Sequence, residues 1–375
     1  MNILLIHQLK KHGESVTWGA VPYYRMQKPH EVLKRMYPEF DYITADSIHI
    51  EQELIDQSDI ILFTRLVEQA DIDAVNKLGN VWGVDVDDYW YLPEDHILYA
   101  GYKENGIPEK IINTIRNAHF VISSTEVLAE KIKPLNPNVH VIENGIDAQE
   151  WTPNKKPSNR VRFGFTQGVT HIPDIATINK DVQKCLYNYR FSNKGQIVLC
   201  GFNAEHREES IYIGYEKMLT NDLKVFQYAK EYVYQLKTLT KPNGDNMAYK
   251  RIWAVPVDDF AQVHNELDVV VAPLKNSEFN SCKSNIKMLE AGFMDCAVMC
   301  HNVAPYSFDM TQENSFDLTE KSFFEWQGYI INNPNLLAEK KQALKEYVQR
   351  FELTKLTDKR KALYESVVKN EPAVN

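Results

Sequence analysis

The sequence predicts an α/β protein built from two doubly wound, Rossmann-like domains. Three observations carry that expectation. The chain has 375 residues, more than the roughly 100–200 of one ordinary domain. Short, continuously apolar runs alternate with helical patterns, as buried parallel strands alternate with crossover helices. The alternation stops once, over 151–160, and then starts again.

The first series of strands is "NILLI" (2–6), "DIILF" (59–63), "NVWGVDV" (80–86), "HFVIS" (119–123) and "VHVIE" (139–143). Between them "PHEVLKRMY" from Pro29 and "EKIINTIRNA" from Glu109 repeat apolar residues at helical spacing. "WTPNKKPSNR" (151–160) is rich in Pro, Asn, Ser and Lys and lacks apolar periodicity, so it reads as a linker. The second series is "VRFGF" (161–165), "GQIVLCGF" (195–202), "RIWAVPV" (251–257), "LDVVVAPL" (267–274) and "DCAVMCH" (295–301). "SNIKMLEAGF" is a helix between the last two, and 335–369 forms two charged amphipathic helices. Residues 1–155, completed by a C-terminal helix near 350–375, are expected to form one domain, and 156–349 the other. Ligands in such folds bind at the carboxyl ends of strands, so the cleft between the halves is the expected site.

Composition narrows the function classes. The net charge of −9 lacks the basic surplus of a nonspecific nucleic-acid binder. The five cysteines, Cys185, Cys200, Cys282, Cys296 and Cys300, are odd in number and dispersed, which argues against a disulfide framework. Cys296, Cys300 and His301 lack a second ligand pair at zinc spacing, and "CAVMC" reads as a buried strand. The apolar run after Asn2 is too short for a signal segment, and no stretch approaches the ~18 apolar residues of a membrane span. A reducing cytoplasm is the expected compartment. Nothing in the sequence sets an oligomeric state.

The stretch from Lys283 to Glu290 carries chemistry. Ser284 or Asn285 can cap the helix that follows, and a helix N-terminus offers free N–H groups to a phosphate. Lys283 and Lys287 add positive charge four residues apart, and Glu290, one turn deeper, can accept hydrogen bonds from a ribose diol. A capped helix with a solvated Lys/Glu face has the same spacing.

Two further blocks, "VISSTEVLAEKI…VHVIENGIDAQEWTP" (121–153) and "VPVDDFAQVHNELDVVVAPL…KSNIKMLEAGFMDCAVMCHNVAPY" (255–306), complete a resemblance. Together they resemble the GT-B glycosyltransferases, most closely family 4 and its relatives. The resemblance implies two Rossmann-like domains facing a cleft, with C-terminal helices packing back and a nucleotide-sugar donor held by the second domain. It gives Glu290 the donor ribose and the segment Ser281–Ser284, continuing into Asn285, the sugar and phosphates. "RFGFTQGVTHIPD" (162–174) is similar to the first strand and loop of the donor domain. There Thr166, Gln167 and Gly168 would place N–H groups near the diphosphate, with His171 and Asp174 close by. Trp253 through Val257, Val255 included, matches a loop along the nucleobase.

The sequence also departs from that family. Counting back from Glu290 puts Cys282 where a first glutamate stands, and Glu278 comes four residues too early. For the basic pair near the second donor-domain strand the nearest candidates are His206 and Arg207. A divergent branch, or one with Lys283 and Lys287 taking over diphosphate charge, is the expectation.

In the first half, "GAVPYYRMQKP" (19–29) reads as a loop, either solvated or bordering the acceptor with Tyr24, Arg25 and Lys28. Asp85 and Asp87 spell the Asp-x-Asp of metal-dependent GT-A enzymes. With a GT-B donor block present, Asp87 and Asp88 read instead as cleft residues that bind an acceptor hydroxyl or orient His96. His7 ends the first strand and is a further acceptor-side candidate. The expected reaction moves a sugar from a nucleoside-diphosphate sugar, UDP-linked by preference, to a hydroxyl. The resemblance implies retention of configuration, and neither metal nor other cofactor is expected. Lys283, Lys287 and Asp88 are the expected catalytic residues. The acceptor stays open among glycan, lipid, protein, small molecule and a hydroxymethylated DNA base, the last needing a basic cleft from Arg25, Lys28, Lys131 and Lys133. A nucleotide-sugar epimerase, or an inactive nucleotide- or glycan-binding module, would share the same plan.

Overall fold

The computed structural model describes residues 1–7, 10–12, 15–17, 19–46, 52–188, 193–202, 211–220 and 248–369. In chain order its strands are β1 (Asn2–Ile6), β2 (Lys10–His12), β3 (Ser15–Thr17), β4 (Asp41–Ala45), β5 (Ile60–Thr64), β6 (Val81–Val86), β7 (Phe120–Ser123) and β8 (Val139–Val141). They continue with β9 (Val161–Phe165), β10 (Gly195–Phe202), β11 (Tyr249–Trp253), β12 (Val269–Ala272), β13 (Ala297–Cys300) and β14 (Ser315–Asp317). Apart from the small antiparallel hairpin β2–β3, all of them belong to two six-stranded parallel sheets.

The chain divides into two compact units. The first comprises Met1–Gln149, Ser277–Ile286 and Arg350–Asn375; the second comprises Glu150–Asn276 and Lys287–Gln349. Ser277–Ile286, which the sequence reading assigns to the donor domain, therefore packs with the first unit.

In the first unit the strand order is β4-β1-β5-β6-β7-β8. Apart from Asn2 and Thr64 at two strand ends, its central strands are buried, as a parallel sheet covered on both faces requires. The helix Leu353–Lys369 belongs to this unit, with Leu363 and Tyr364 in the core beside Ile3, Leu5 and Phe120. Each such side chain contributes about 2 kcal/mol on burial. Gly145 of the "NGID" block lets the returning chain approach: an added Cβ would lie 2.7 Å from Leu353 Cδ2 and 2.9 Å from the Phe351 carbonyl oxygen. Ile146 completes the contact as a parallel bridge to Glu352.

The stretch 19–29 is helical rather than a loop. A helix over Ala20–Pro22, a π-helical turn over Tyr23–Gln27 and the helix Lys28–Met36 run on continuously, and Tyr23, Tyr24, Arg25 and Met26 are buried. The π turn moves part of the face inward, so simple helical periodicity does not reveal it.

The second unit has strand order β11-β10-β9-β12-β13-β14. Numbered within the unit, that is 3-2-1-4-5-6, the doubly wound order whose ligand crevice lies beside the first strand. Its core gathers Phe163, Phe165, Val269, Val271, Met299 and Phe316. "RIWAVPV" is a strand only as far as Trp253, because Pro256 precedes a 3-10 turn over Val257–Asp259. All five cysteines are buried and free.

Candidate functional site

The second unit holds the donor-side candidates in two clusters. The first lies where β9 ends, at the switch point of its sheet. Thr166 and Gln167 are buried, and among the described residues Thr166 Oγ1 and Gln167 Oε1 have no hydrogen-bond partner. An unpaired buried polar atom costs on the order of 1–3 kcal/mol, so two at one strand end are a feature to explain. Gly168 follows with φ −67°, a backbone any residue adopts. A Cβ there would meet only Thr170 Oγ1 among the described residues, at 3.9 Å. Among the described residues, neither strain nor crowding calls for glycine there.

Asp174 fixes this loop. Its Oδ2 accepts from His171 Nδ1 at 2.8 Å, and its Oδ1 accepts from the Lys275 amide at 2.9 Å. The loop after β9 is thus tied to the loop after β12, and Gln167 Nε2 adds a bond to the Pro273 carbonyl at 3.4 Å.

The second cluster surrounds Glu290 on the helix Ile286–Phe293. The carboxylate is fully buried and accepts from Lys287 Nζ at 2.8 Å. His264 Nε2 stands 3.7 Å from it, and Trp151 and Phe260 pack on the His264 ring at 5.4 and 5.3 Å between centroids. Burial pushes the Glu290 carboxyl up, but the Lys287 ammonium and the nearby His264 outweigh it and hold it at about 2. Burial also lowers His264 below its ordinary value, against Glu290. The imidazole is then neutral at pH 7, and the charge partner of Glu290 is Lys287. Lys287 also lies over the Phe260 ring, 4.9 Å from its centroid. Val255 is exposed, in the stretch after β11. Arg207 and His206 lie outside the described residues.

The first unit holds the remaining candidates. Lys283 and Asp88 come together, with Nζ 3.5 Å from Oδ1, and Lys283 covers the Phe279 ring at 4.4 Å. Ser284 does not stand free for a ligand as a bare cap would: its hydroxyl accepts from Asn144 Nδ2 at 2.7 Å. Asn285 is buried in the same segment. Cys282 is buried too, its carbonyl accepting from Thr125 Oγ1 at 3.1 Å, and burial pushes its thiol up to about 11. It carries no charge at neutral pH, unlike the glutamate that the resemblance would put there. Glu278 pairs with Lys131.

Arg25 does not line a surface. It is 1% exposed, and its guanidinium grips Asp85 through two bonds of 2.7 and 3.1 Å. The third nitrogen donates to the Ile142 carbonyl and to Asn144 Oδ1. Asp85 therefore has both oxygens engaged and is not the open carboxylate that a metal dyad needs. Tyr24 is buried beside Tyr23, with rings 5.0 Å apart. His7 is buried where β1 ends, and His96 is buried with Nδ1 accepting from the Leu98 amide. Lys28 pairs with Glu31, and Lys133 lies 3.9 Å from Glu130. The four cations of the DNA expectation thus each stand by a carboxylate of their own unit.

Asp87 is different. The residue is part-exposed, yet its Oδ1 is sealed from solvent and has no partner among the described residues. Burial, and then the neighbouring Asp88, raise its carboxyl to about 7. Sequence reasoning missed Arg65 altogether. It follows β5 with φ +53°, the left-handed region that non-glycine residues seldom adopt. Its Nη2 donates to the Tyr89 carbonyl at 3.4 Å, and its buried Nε has no partner among the described residues. One basic residue after an apolar strand gives no sequence signal; the backbone conformation marks it.

No protein-family model matches the chain, and no curated protein matches it either. Solved structures do. Sucrose-phosphate synthase from Thermosynechococcus elongatus is similar over 99% of this chain and 100% of its own, with a TM-score of 0.66 at 13% identity. HepE from Anabaena, solved with UDP and glucose, is similar over 97% of this chain and 99% of its own, with a TM-score of 0.61 at 10% identity. The catalytic domain of starch synthase IV from Arabidopsis thaliana, bound to ADP and acarbose, is similar over 98% and 99%, with a TM-score of 0.60 at 9% identity. At such identities the likeness establishes the fold: two Rossmann-like domains of the GT-B type.

Proposed function

We infer that this chain is a glycosyltransferase, moving a sugar from a nucleoside-diphosphate sugar to a hydroxyl acceptor. The observation that carries the reading is the end of β9, where, among the described residues, the Thr166 hydroxyl is buried without a partner beside Gly168. Backbone N–H groups and hydroxyls at a switch point suit a diphosphate. His171 stands on the same loop, held by Asp174.

A UDP-linked donor is favoured because HepE has been solved with UDP-glucose, at 14% identity and a TM-score of 0.57. Starch synthase IV with ADP makes an adenine nucleotide the runner-up. The resemblance gives Glu290 the ribose, and its burial adds a second task, that of holding Lys287. Val255 borders the base, and Arg207 is a further diphosphate candidate. Lys283 and Lys287 would stabilise the charge that develops on the leaving diphosphate. Asp88 holds Lys283. Ser284 and Asn285 complete the sugar-facing loop, and His7, Tyr24, Arg25, Asp87 and His96 shape the acceptor side, Arg25 through Asp85 and Asn144 rather than by contact.

Retention of configuration rests on the resemblance alone. Among acceptors, a glycan, lipid or protein hydroxyl is favoured over a DNA base, because Arg25, Lys28 and Lys131 are already paired with carboxylates. Nucleotide release from UDP-glucose tests the reading. Glu290→Ala is expected to raise the donor KM, and Lys283→Ala and Lys287→Ala to lower kcat. Unchanged kinetics in all three variants would sink the site assignment.

A further inference from the structure

In the second unit β14 is the edge strand of its sheet, and a cleft of about 680 Å³ opens beside it. That volume falls within the roughly 300–1,000 Å³ of sites that hold small organic ligands. β12 and β13 lie between β14 and β9, so the cleft is separate from the candidates at the end of β9.

An edge strand ordinarily invites a further peptide strand. Here the Ser315 and Asp317 carbonyls, two residues apart on β14, are both taken. Lys340 Nζ donates to Ser315 at 2.8 Å, and also to the Gln312 carbonyl. Trp326 Nε1 donates to Asp317 at 2.6 Å. A peptide laid along β14 would find these acceptors occupied. The lining does not select an ion either. It carries Asp317, Glu320, Lys321 and Lys340, two charges of each sign, and Lys321 pairs with Glu320 at 2.7 Å.

Aromatic and amide groups make up the rest of the recognition surface. Tyr329, on the helix Phe323–Asn332, is 50% exposed. Its ring meets that of Trp326 at 6.0 Å between centroids, near a right angle. Trp326 is buried and Lys321 covers it at 4.5 Å, so Tyr329 supplies the open ring. Asn302 and Gln312 line the same cleft and are exposed, and each amide both donates and accepts. A pyranose has an apolar C–H face and a rim of hydroxyls that donate and accept. A half-exposed ring beside two amides, without net charge, matches both.

We propose that this cleft is a separate carbohydrate site, holding a neutral oligosaccharide by stacking one sugar on Tyr329 and hydrogen-bonding its hydroxyls to Asn302 and Gln312. The choice of a glycan among neutral ring compounds rests on the glycosyl-transfer reading. The site itself lies within the second unit, and no bond forms or breaks there. A chain held at this cleft raises the concentration of acceptor ends around the protein.

The test is calorimetry of the full chain with maltoheptaose, cellohexaose and chitohexaose, with and without UDP, alongside nucleotide release from UDP-glucose. At least one oligosaccharide is expected to bind, with an affinity that UDP does not change. Tyr329→Ala is expected to weaken that binding about 10-fold or more, and Tyr329→Phe, which keeps the ring, to retain it. Asn302→Ala combined with Gln312→Ala is expected to weaken it as well. UDP affinity is expected to stay the same in every variant. Unchanged oligosaccharide affinity in Tyr329→Ala overturns the proposal, as does competition by UDP. Should Tyr329→Ala not fold, unchanged affinity in the double amide variant overturns it instead. Oligosaccharide binding that needs Tyr329, without response to any nucleotide, supports the cleft and sinks the transfer reading. Nucleotide binding and release with no oligosaccharide bound overturns the cleft and leaves the transfer reading standing.

Discussion

Lys287 Nζ donates to Glu290 Oε2 at 2.8 Å, and this bond keeps a fully buried carboxylate ionised. The two residues sit one helical turn apart, and nearby His264 is neutral at pH 7 because burial lowers it. Removing the lysine therefore strands a charge. Lys287→Ala is expected to destabilise the protein by about 3 kcal/mol, read by urea unfolding at pH 7. Adding Glu290→Gln to that variant is expected to restore much of the loss, since no buried charge is then left unpaired. A double variant no better than the single one contradicts the pairing.

Glu290 also sets an acid dependence. Its carboxyl is held at about 2 in the folded chain, below its ordinary 4.5. The unfolded state binds that proton first as pH falls, so the stabilisation is complete above about 4.5 and is lost on the way down to about 2. Glu290→Gln is expected to flatten this part of the stability curve.

Asp87 works in the opposite sense. Its folded carboxyl stands at about 7, above the ordinary 3.8. The folded state holds the proton longer, so stability contributed below about pH 4 is lost as pH rises towards 7. Asp87→Asn is expected to be more stable than the wild type at pH 8, and the difference is expected to vanish near pH 4. Equal melting temperatures at both pH values contradict the raised carboxyl.

Much of the fold was legible because parallel strands buried on both faces leave unbroken apolar runs, and β1, β9 and β10 match theirs residue for residue. Strands without such runs were not legible. β4 is a largely exposed edge strand, and β14 has three residues. The π-helical turn at Tyr23–Gln27 hid Arg25 in what reads as a loop. The loop after β9 follows from motif, but the sequence reading gives Lys287 to the diphosphate and Glu290 to the ribose rather than to each other. The Asp85–Arg25 pairing and the Arg65 backbone carry no such signal, because they depend on neighbours remote in sequence.

Two glycines separate ligand space from packing. An added Cβ at Gly164 would lie 2.4 Å from Leu267 Cδ2, whereas at Gly168 it meets nothing nearer than 3.9 Å among the described residues. Gly164→Ala is expected to cost about 1–3 kcal/mol through overpacking. Gly168→Ala is expected to leave stability within about 0.5 kcal/mol, and Gly168→Val to weaken UDP binding at least ~10-fold, a loss of about 1.4 kcal/mol. Unfolding curves and calorimetry read the two effects separately.

The most direct test of a nucleotide site at the end of β9 is the melting temperature of the protein against UDP, ADP, GDP, dTDP and CMP, with and without Mn. A ligand at 100 times its Kd adds about 2.7 kcal/mol to the folded state. The expected result is a rise of several degrees with UDP that needs no Mn and is lost in Gly168→Val. A melting temperature unmoved by every nucleotide, with or without the metal, would contradict the donor site and leave Thr166, Gln167 and Gly168 as no more than a strand end.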